Sequence, residues 1–206
     1  CFAVFVLTFL SYVALGHLGL YFASLNQTVS PVWPAAGFAI GMVYSFGSPA
    51  LAAVLCGAFV VNLGSSFPIA VWISIGNMSE AWVGAVVLAW IRARRFRLAH
   101  QSDVLAFGLS SLIGAVVAAS QGTLGLALFG EVGARELGQL WLTWWVGDSL
   151  GGLFISPLVV GASRRRIANL FGHSWVLPFL LLLVVLFFTF FRLEGAAFVF
   201  FLFPCL

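Results

Sequence analysis

Long apolar runs broken by short polar stretches dominate the sequence. Strand-like alternation of apolar and polar positions is not visible, so the runs read as helices and not as strands of a barrel. They predict eight membrane spans, at about 2–23, 32–46, 49–63, 68–91, 103–128, 138–160, 174–191 and 195–206. The second and third are short, and Gly47-Ser48-Pro49 predicts a tight turn between them. The expected fold is all-α, a polytopic membrane helical bundle making one integral-membrane domain over residues 1–206.

Composition strengthens this reading. The chain of 206 residues is 63% hydrophobic and 7% charged, where a soluble domain is about 25% charged. Its mean hydropathy is +1.14. So few charges cannot cover a water-exposed surface, which excludes a soluble globular domain. The net charge of +3 gives no case for nucleic acid, because the charges sit at the ends of spans.

Those charges set an orientation. All nine basic residues are Arg, with clusters at Arg92, Arg94, Arg95 and Arg97 and at Arg164, Arg165 and Arg166. Two spans separate the clusters, so both face one side. The excess of Arg in cytoplasmic loops makes that side the cytoplasm. Counting spans outward then puts the N-terminus and the C-terminus in the cytoplasm. The loop GEVGARELGQ, with Glu131 and Glu136 around Arg135, falls outside. The three cysteines, Cys1, Cys56 and Cys205, lie in or at apolar runs and make neither a disulfide framework nor a metal spacing. The chain opens on CFAVFVL and stops within FVFFLFPCL, so it is expected to be a piece of a longer protein.

The stretch ISIGNMSEAWVGAVVLAW carries Glu80 about 12 residues into the fourth span, near the bilayer middle. Insertion of an acidic residue there costs roughly 2.5–3.5 kcal/mol, so such a group faces the bundle and is either protonated or paired. Asn77 shares its face, and Gly76 and Gly84 flank it one turn away on either side. The sixth span repeats the theme in LWLTWWVGDSLGGLFISP. Asp148 again lies near the middle, with Trp141, Trp144 and Trp145 on one side and Gly147, Gly151 and Gly152 around it.

Further polar groups fall at similar depth: His17, Asn62, Ser120, Gln121, and Trp33 with Pro34 at the head of the second span. The depth agreement suggests one outward-facing polar pocket. The candidate signal-sensing residues are Trp33, Pro34, Asn62, Asn77, Glu80, Gln121, Trp144, Trp145 and Asp148. Each has a plainer reading. His17, Asn62 and Gln121 suit interhelical hydrogen bonds, Trp141 suits an interfacial anchor, and Trp144 and Trp145 suit either packing or a pocket wall. Glu80 and Asp148 resist a purely structural reading, because no basic residue occurs inside any predicted span. The His and carboxylates lack ligand spacing, so no metal and no cofactor is expected.

PVWPAAGFAIG, CGAFVVNLG, GNMSEAWVGA and WWVGDSLGGLFISPL occur in this order. The ordered set resembles the bacterial membrane-associated sensor domain of the first MASE type, over nearly the whole chain. By motif, the resemblance marks Trp33, Pro34, Gly37, Asn62, Asn77, Glu80, Trp145, Asp148 and Gly151. It implies an eight-span module ahead of a cytoplasmic histidine kinase, diguanylate cyclase or phosphodiesterase, in a two-component or cyclic-di-GMP system. The domain would then be a sensory input and not itself an enzyme. The resemblance also implies the bacterial cytoplasmic (inner) membrane as location, membrane lipids as neighbours, a homodimer formed through the parent protein, and no nucleic-acid partner. It names no signal, which could be a small molecule or a membrane protein.

Two other function classes compete. Midplane carboxylates also suit a small-molecule transporter or a substrate-capture subunit. An intramembrane enzyme could use two carboxylates as acid and base, but no nucleophile pair, metal motif or cofactor signature supports it.

Overall fold

Apolar runs of this length satisfy their backbone groups internally only by coiling into helices. The computed structural model describes residues 1–21, 32–91 and 101–164. Among the described residues there are six helices and no strand: α1 (Phe2–Tyr21), α2 (Pro34–Phe46), α3 (Ser48–Val61), α4 (Phe67–Ile91), α5 (Gln101–Leu128) and α6 (Leu137–Arg164). The spans expected at 174–191 and 195–206 and the 92–97 Arg cluster lie outside the described residues. So do the side chains of the 164–166 cluster.

Local chemistry explains the breaks. Pro34 sits in the first turn of α2, where its missing N–H costs no intrahelical bond. Gly47 ends α2 and caps α3 with φ +68°, a left-handed conformation that glycine adopts without strain. Its N–H returns to the Val43 carbonyl at 2.8 Å. The predicted tight turn is therefore one residue between two helices. Pro157 lies inside α6 and removes one rung of that helix's hydrogen-bond ladder.

Side-chain contacts give the directions. Tyr12 and Gly57 meet, as do Gly16 and Val61, so α1 and α3 run parallel. Trp72 faces Gln121 and Gly114 faces Glu80, so α4 and α5 run antiparallel. Trp141 faces Ser120 and Gly152 faces Ser111, so α5 and α6 run antiparallel too. Trp33 bonds Gly147 at one end of α2 and Ser45 bonds Ser163 at the other, so α2 and α6 run parallel. The ends of the bundle follow. One, here the near end, holds Phe2, the Gly47 turn, Ile91 and Ser163. The far end holds Tyr21, Asn62, Phe67, Leu128 and Leu137.

Six of the eight expected spans fall within the described residues, and the structure supports fewer than six of them. By length and composition, four helices are long and apolar enough to cross a membrane: α1, α4, α5 and α6. Helices α2 and α3 have 13 and 14 residues. At ~1.5 Å per residue they rise about 20 Å, short of a ~30 Å hydrocarbon core. The reason is visible at Trp33. The head of α2 is anchored to Gly147, ten residues into α6, through a backbone hydrogen bond of 2.9 Å from Trp33 N–H to the Gly147 carbonyl. Helix α2 therefore starts inside the bundle and not at its far end.

The core is built from small residues. Ala35, Ala36, Ala39, Ala50, Ala58 and Ala81 are buried with Tyr12 and Trp33 in one cluster. Small side chains let helices approach closely, and that packing stands in for the hydrophobic drive that lipid does not provide.

Candidate functional site

Four helices bring polar or aromatic side chains to one level of the bundle. Glu80 of α4 and Asp148 of α6 are each 1% exposed. The two carboxylates are electrostatic neighbours, and both lie within charge range of the Tyr12 hydroxyl on α1. Trp33, at the head of α2, offers its indole N–H to Tyr12. Trp144 offers its own to Asp148, one turn farther along α6. Asn77, buried one turn before Glu80, completes the polar face of α4. A fifth helix closes the back: Gly114 of α5 lies against the Glu80 backbone and its Cγ.

Glycine makes this arrangement fit. A Cβ on Gly151 would collide with the Trp33 carbonyl, and one on Gly37 would collide with the Gly151 carbonyl. Only at glycine can the α2 and α6 backbones come this close. Gly84 accommodates Ile40 of α2, and Gly152 accommodates Ser111 of α5. The small residues around Glu80 and Asp148 thus receive neighbouring helices and hold the acid pair between them.

The electrostatics are unbalanced. Arg164, at the last position of α6, is the one Lys or Arg within the described helices. His17, expected in the pocket, is exposed on the outside of α1. One oxygen of each carboxylate, Glu80 Oε1 and Asp148 Oδ2, is buried without a hydrogen-bond partner in the protein. Unpaired polar atoms in a low-dielectric interior are costly. Where the carboxylate is ionised its unpartnered oxygen is an acceptor, and what it lacks is a donor or a positive charge. Among the described residues no group of three or more His, Cys, Asp or Glu could hold a metal ion.

The remaining candidates divide. Trp33, Asn77, Glu80, Trp144 and Asp148 come together, and Pro34 adjoins them against Gly151. Three others do not join. Asn62 ends α3, and its side-chain amide donates to its own helix at Ala58 (2.8 Å). Gln121 clasps α5 to α4: its amide donates to the Trp72 carbonyl at 3.3 Å, and the Trp72 indole donates back to the Gln121 carbonyl at 2.7 Å. Trp145 stacks on Trp141, with centroids 5.8 Å apart, and donates to the Leu112 carbonyl at 3.1 Å. It braces α6 on α5.

Tyr12 was not singled out in the sequence, yet it is among the largest fully buried side chains. Its signal was slight: a tyrosine in mid-run, with Thr8 and Gly16 one turn away on either side.

Neither the curated proteins nor the solved structures contain a match to this chain. A protein-family comparison does: the MASE1 model matches residues 2–205. Essentially the whole chain is covered, including every residue of the acid pair's surroundings. The chain therefore belongs to the MASE1 family of membrane-associated sensor domains.

Proposed function

We propose that this domain is the sensory input of a longer bacterial signalling protein, and that the chamber around Glu80 and Asp148 receives the signal. The observation that carries this reading is the buried acid pair, with one unpartnered oxygen on each carboxylate and no Lys or Arg beside it among the described residues. A purely structural pair would be matched by a cation. In this reading the Arg clusters set a cytoplasmic near end, and the two C-terminal apolar runs add a seventh and an eighth helix to the six described. The chain then leads into a cytoplasmic histidine kinase or cyclic-di-GMP output domain, which dimerises. Catalysis belongs to that output domain, and the location is the bacterial inner membrane.

A ligand shifts such a domain only if it binds two helix arrangements with different affinity. Helix α2 suits that role. It is short, its head lies beside the acid pair, and it follows α6 along its length, through the Trp33–Gly147 hydrogen bond, the Gly37–Gly151 and Gly41–Val159 contacts and the Ser45–Ser163 hydroxyl pair, so a shift of its head is passed to α6. The test uses the parent protein with its output activity as readout. Glu80→Gln and Asp148→Asn should alter the signal response while membrane insertion and level stay the same. An unchanged dose–response in both would overturn the assignment.

The second reading is a transporter or substrate-capture subunit. One observation favours it: a helix that begins at mid-bundle beside buried carboxylates is a transporter device. Uptake into vesicles that depends on Glu80 would move this reading ahead.

A further inference from the structure

A cavity lies at the far end, between the α3–α4 and α5–α6 turns. Its volume is about 430 Å³, and Ser65, Ser66 and Glu131 give it a polar rim. Its floor is Ile69, Leu126 and Leu140. Those floor residues belong to one buried cluster with Ile73 and Trp144. Trp144 in turn meets Asp148. Two stripes therefore lead from the cavity to the acid pair. On α4 they are Ile69, Ile73, Asn77 and Glu80, and on α6 Leu140, Trp144 and Asp148. Along the helix axes the separation is about two turns on α6 and three on α4, about 12 and 16 Å at ~1.5 Å per residue.

We propose that the acid pair binds a small protonated amine, which reaches it from this far-end cavity through the Ile73–Trp144 layer. This deepens the sensory reading above and rests on it only for the purpose of binding. On an ionised carboxylate the unpartnered atom, Glu80 Oε1 or Asp148 Oδ2, is an acceptor, and an ammonium group brings three N–H donors with one positive charge. The Tyr12 hydroxyl lies beside the pair and can accept a further N–H from an ammonium group. A metal ion would find two carboxylates and no third ligand of the His, Cys, Asp or Glu class among the described residues.

The route separates an amine from an alkali ion. The intervening layer is apolar and buried, and crossing it as a charge is costly. An amine sheds its proton to water at the rim and crosses neutral. It then takes a proton from a carboxylic acid of the pair, leaving an ammonium beside a carboxylate. Protons and charge balance, and no other reactant is needed. Sodium and potassium ions have no neutral form to cross in.

The test is titration of the protein in lipid nanodiscs, followed by tryptophan fluorescence, with ethylamine hydrochloride as probe. Sodium, potassium and tetramethylammonium chlorides at equal ionic strength and fixed pH are the comparisons. A saturable change with ethylamine alone is expected, weakened about tenfold or more in Glu80→Gln and Asp148→Asn. Glu131→Gln, at the exposed rim, is expected to fold normally and to slow association without changing dissociation. The same saturable change with sodium or potassium would overturn the proposal in favour of a metal ion. A change that follows pH and ignores ethylamine would overturn it in favour of a proton. Ethylamine binding that survives both carboxylate substitutions would also overturn it. Output activity is not read here, so failure of amine binding leaves the sensory reading standing, and loss of that reading leaves the binding result intact.

Discussion

Gly37 of α2 and Gly151 of α6 interlock: a Cβ on Gly37 would collide with the Gly151 carbonyl, and one on Gly151 would collide with the Trp33 carbonyl. Both obstacles are backbone, which cannot swing aside as a side chain can. Overpacking of a tight core costs about 1–3 kcal/mol, and this contact belongs at the upper end. Gly37→Ala and Gly151→Ala should each lower the melting temperature in detergent. The double variant should lose less than the sum, because one widening of the α2–α6 gap relieves both clashes. A Gly151→Ala protein with unchanged Tm would contradict the close approach.

Glu80→Gln and Asp148→Asn should behave differently. Each keeps the shape of its side chain and takes one ionisable group out of the buried interior. Neutralising one of two buried like charges relieves desolvation and repulsion. Thermal unfolding should therefore show a Tm at or above that of the parent protein. A marked fall in both would mean that the carboxylates hold the fold together, and the chamber would then be structural.

Tyr12→Phe removes the hydroxyl that stands between Trp33 and the two carboxylates. The expected loss is about 1 kcal/mol, the net worth of one buried hydrogen bond. The same variant should shift the dose of signal giving half-maximal output. Unfolding and output measured on one preparation would check both statements. An altered Tm with an unmoved dose would place Tyr12 in packing alone.

Gln121→Ala tests the opposite expectation. It deletes one half of the α4–α5 clasp and leaves the Trp72 bond to the backbone carbonyl intact. Interhelical bonds of this kind are worth about 0.6 kcal/mol in membranes and rarely exceed ~1.7. A small drop in Tm with an unchanged signal response is expected. A changed response would bring Gln121 back into the site.

The elements were legible because their boundaries are local. Pro34 and Gly47 mark the head and tail of α2 in the sequence, and the helix runs between them. The carboxylates stood out for the same reason, since a charge within an apolar run needs no tertiary knowledge to be noticed. What joins them was not legible. Glu80 and Asp148 are 68 residues apart, and their meeting depends on which helices are neighbours. Faces were equally hard to read, because these helices are apolar almost all round. His17 was picked for its chemistry and faces outward, while Tyr12 passed as one more apolar residue. Asn62 and Gln121 lie nearer the far end than the acid pair and bond elsewhere: one caps its own helix, the other binds a neighbour. Depth follows from counting residues, whereas azimuth follows from packing.

Pro157 stands nine residues beyond Asp148 and seven before Arg164. Lacking an N–H, it leaves the Leu153 carbonyl without its usual partner. Above it, α6 is gripped on both sides, by Trp33 and Gly37 at Gly151 and by Ser111 at Gly152. Below it, the last turns reach Ser163, where a hydroxyl pair with Ser45 at 2.8 Å holds them to α2. The lower arm is packed too, Val160 against Leu88 and Phe107 and Val159 against Gly41, so motion of α6 about Pro157 would be carried into α2, α4 and α5 together. A small tilt above Pro157 would reach the near end, about 10 Å away at ~1.5 Å per residue, as a shared movement of these helices.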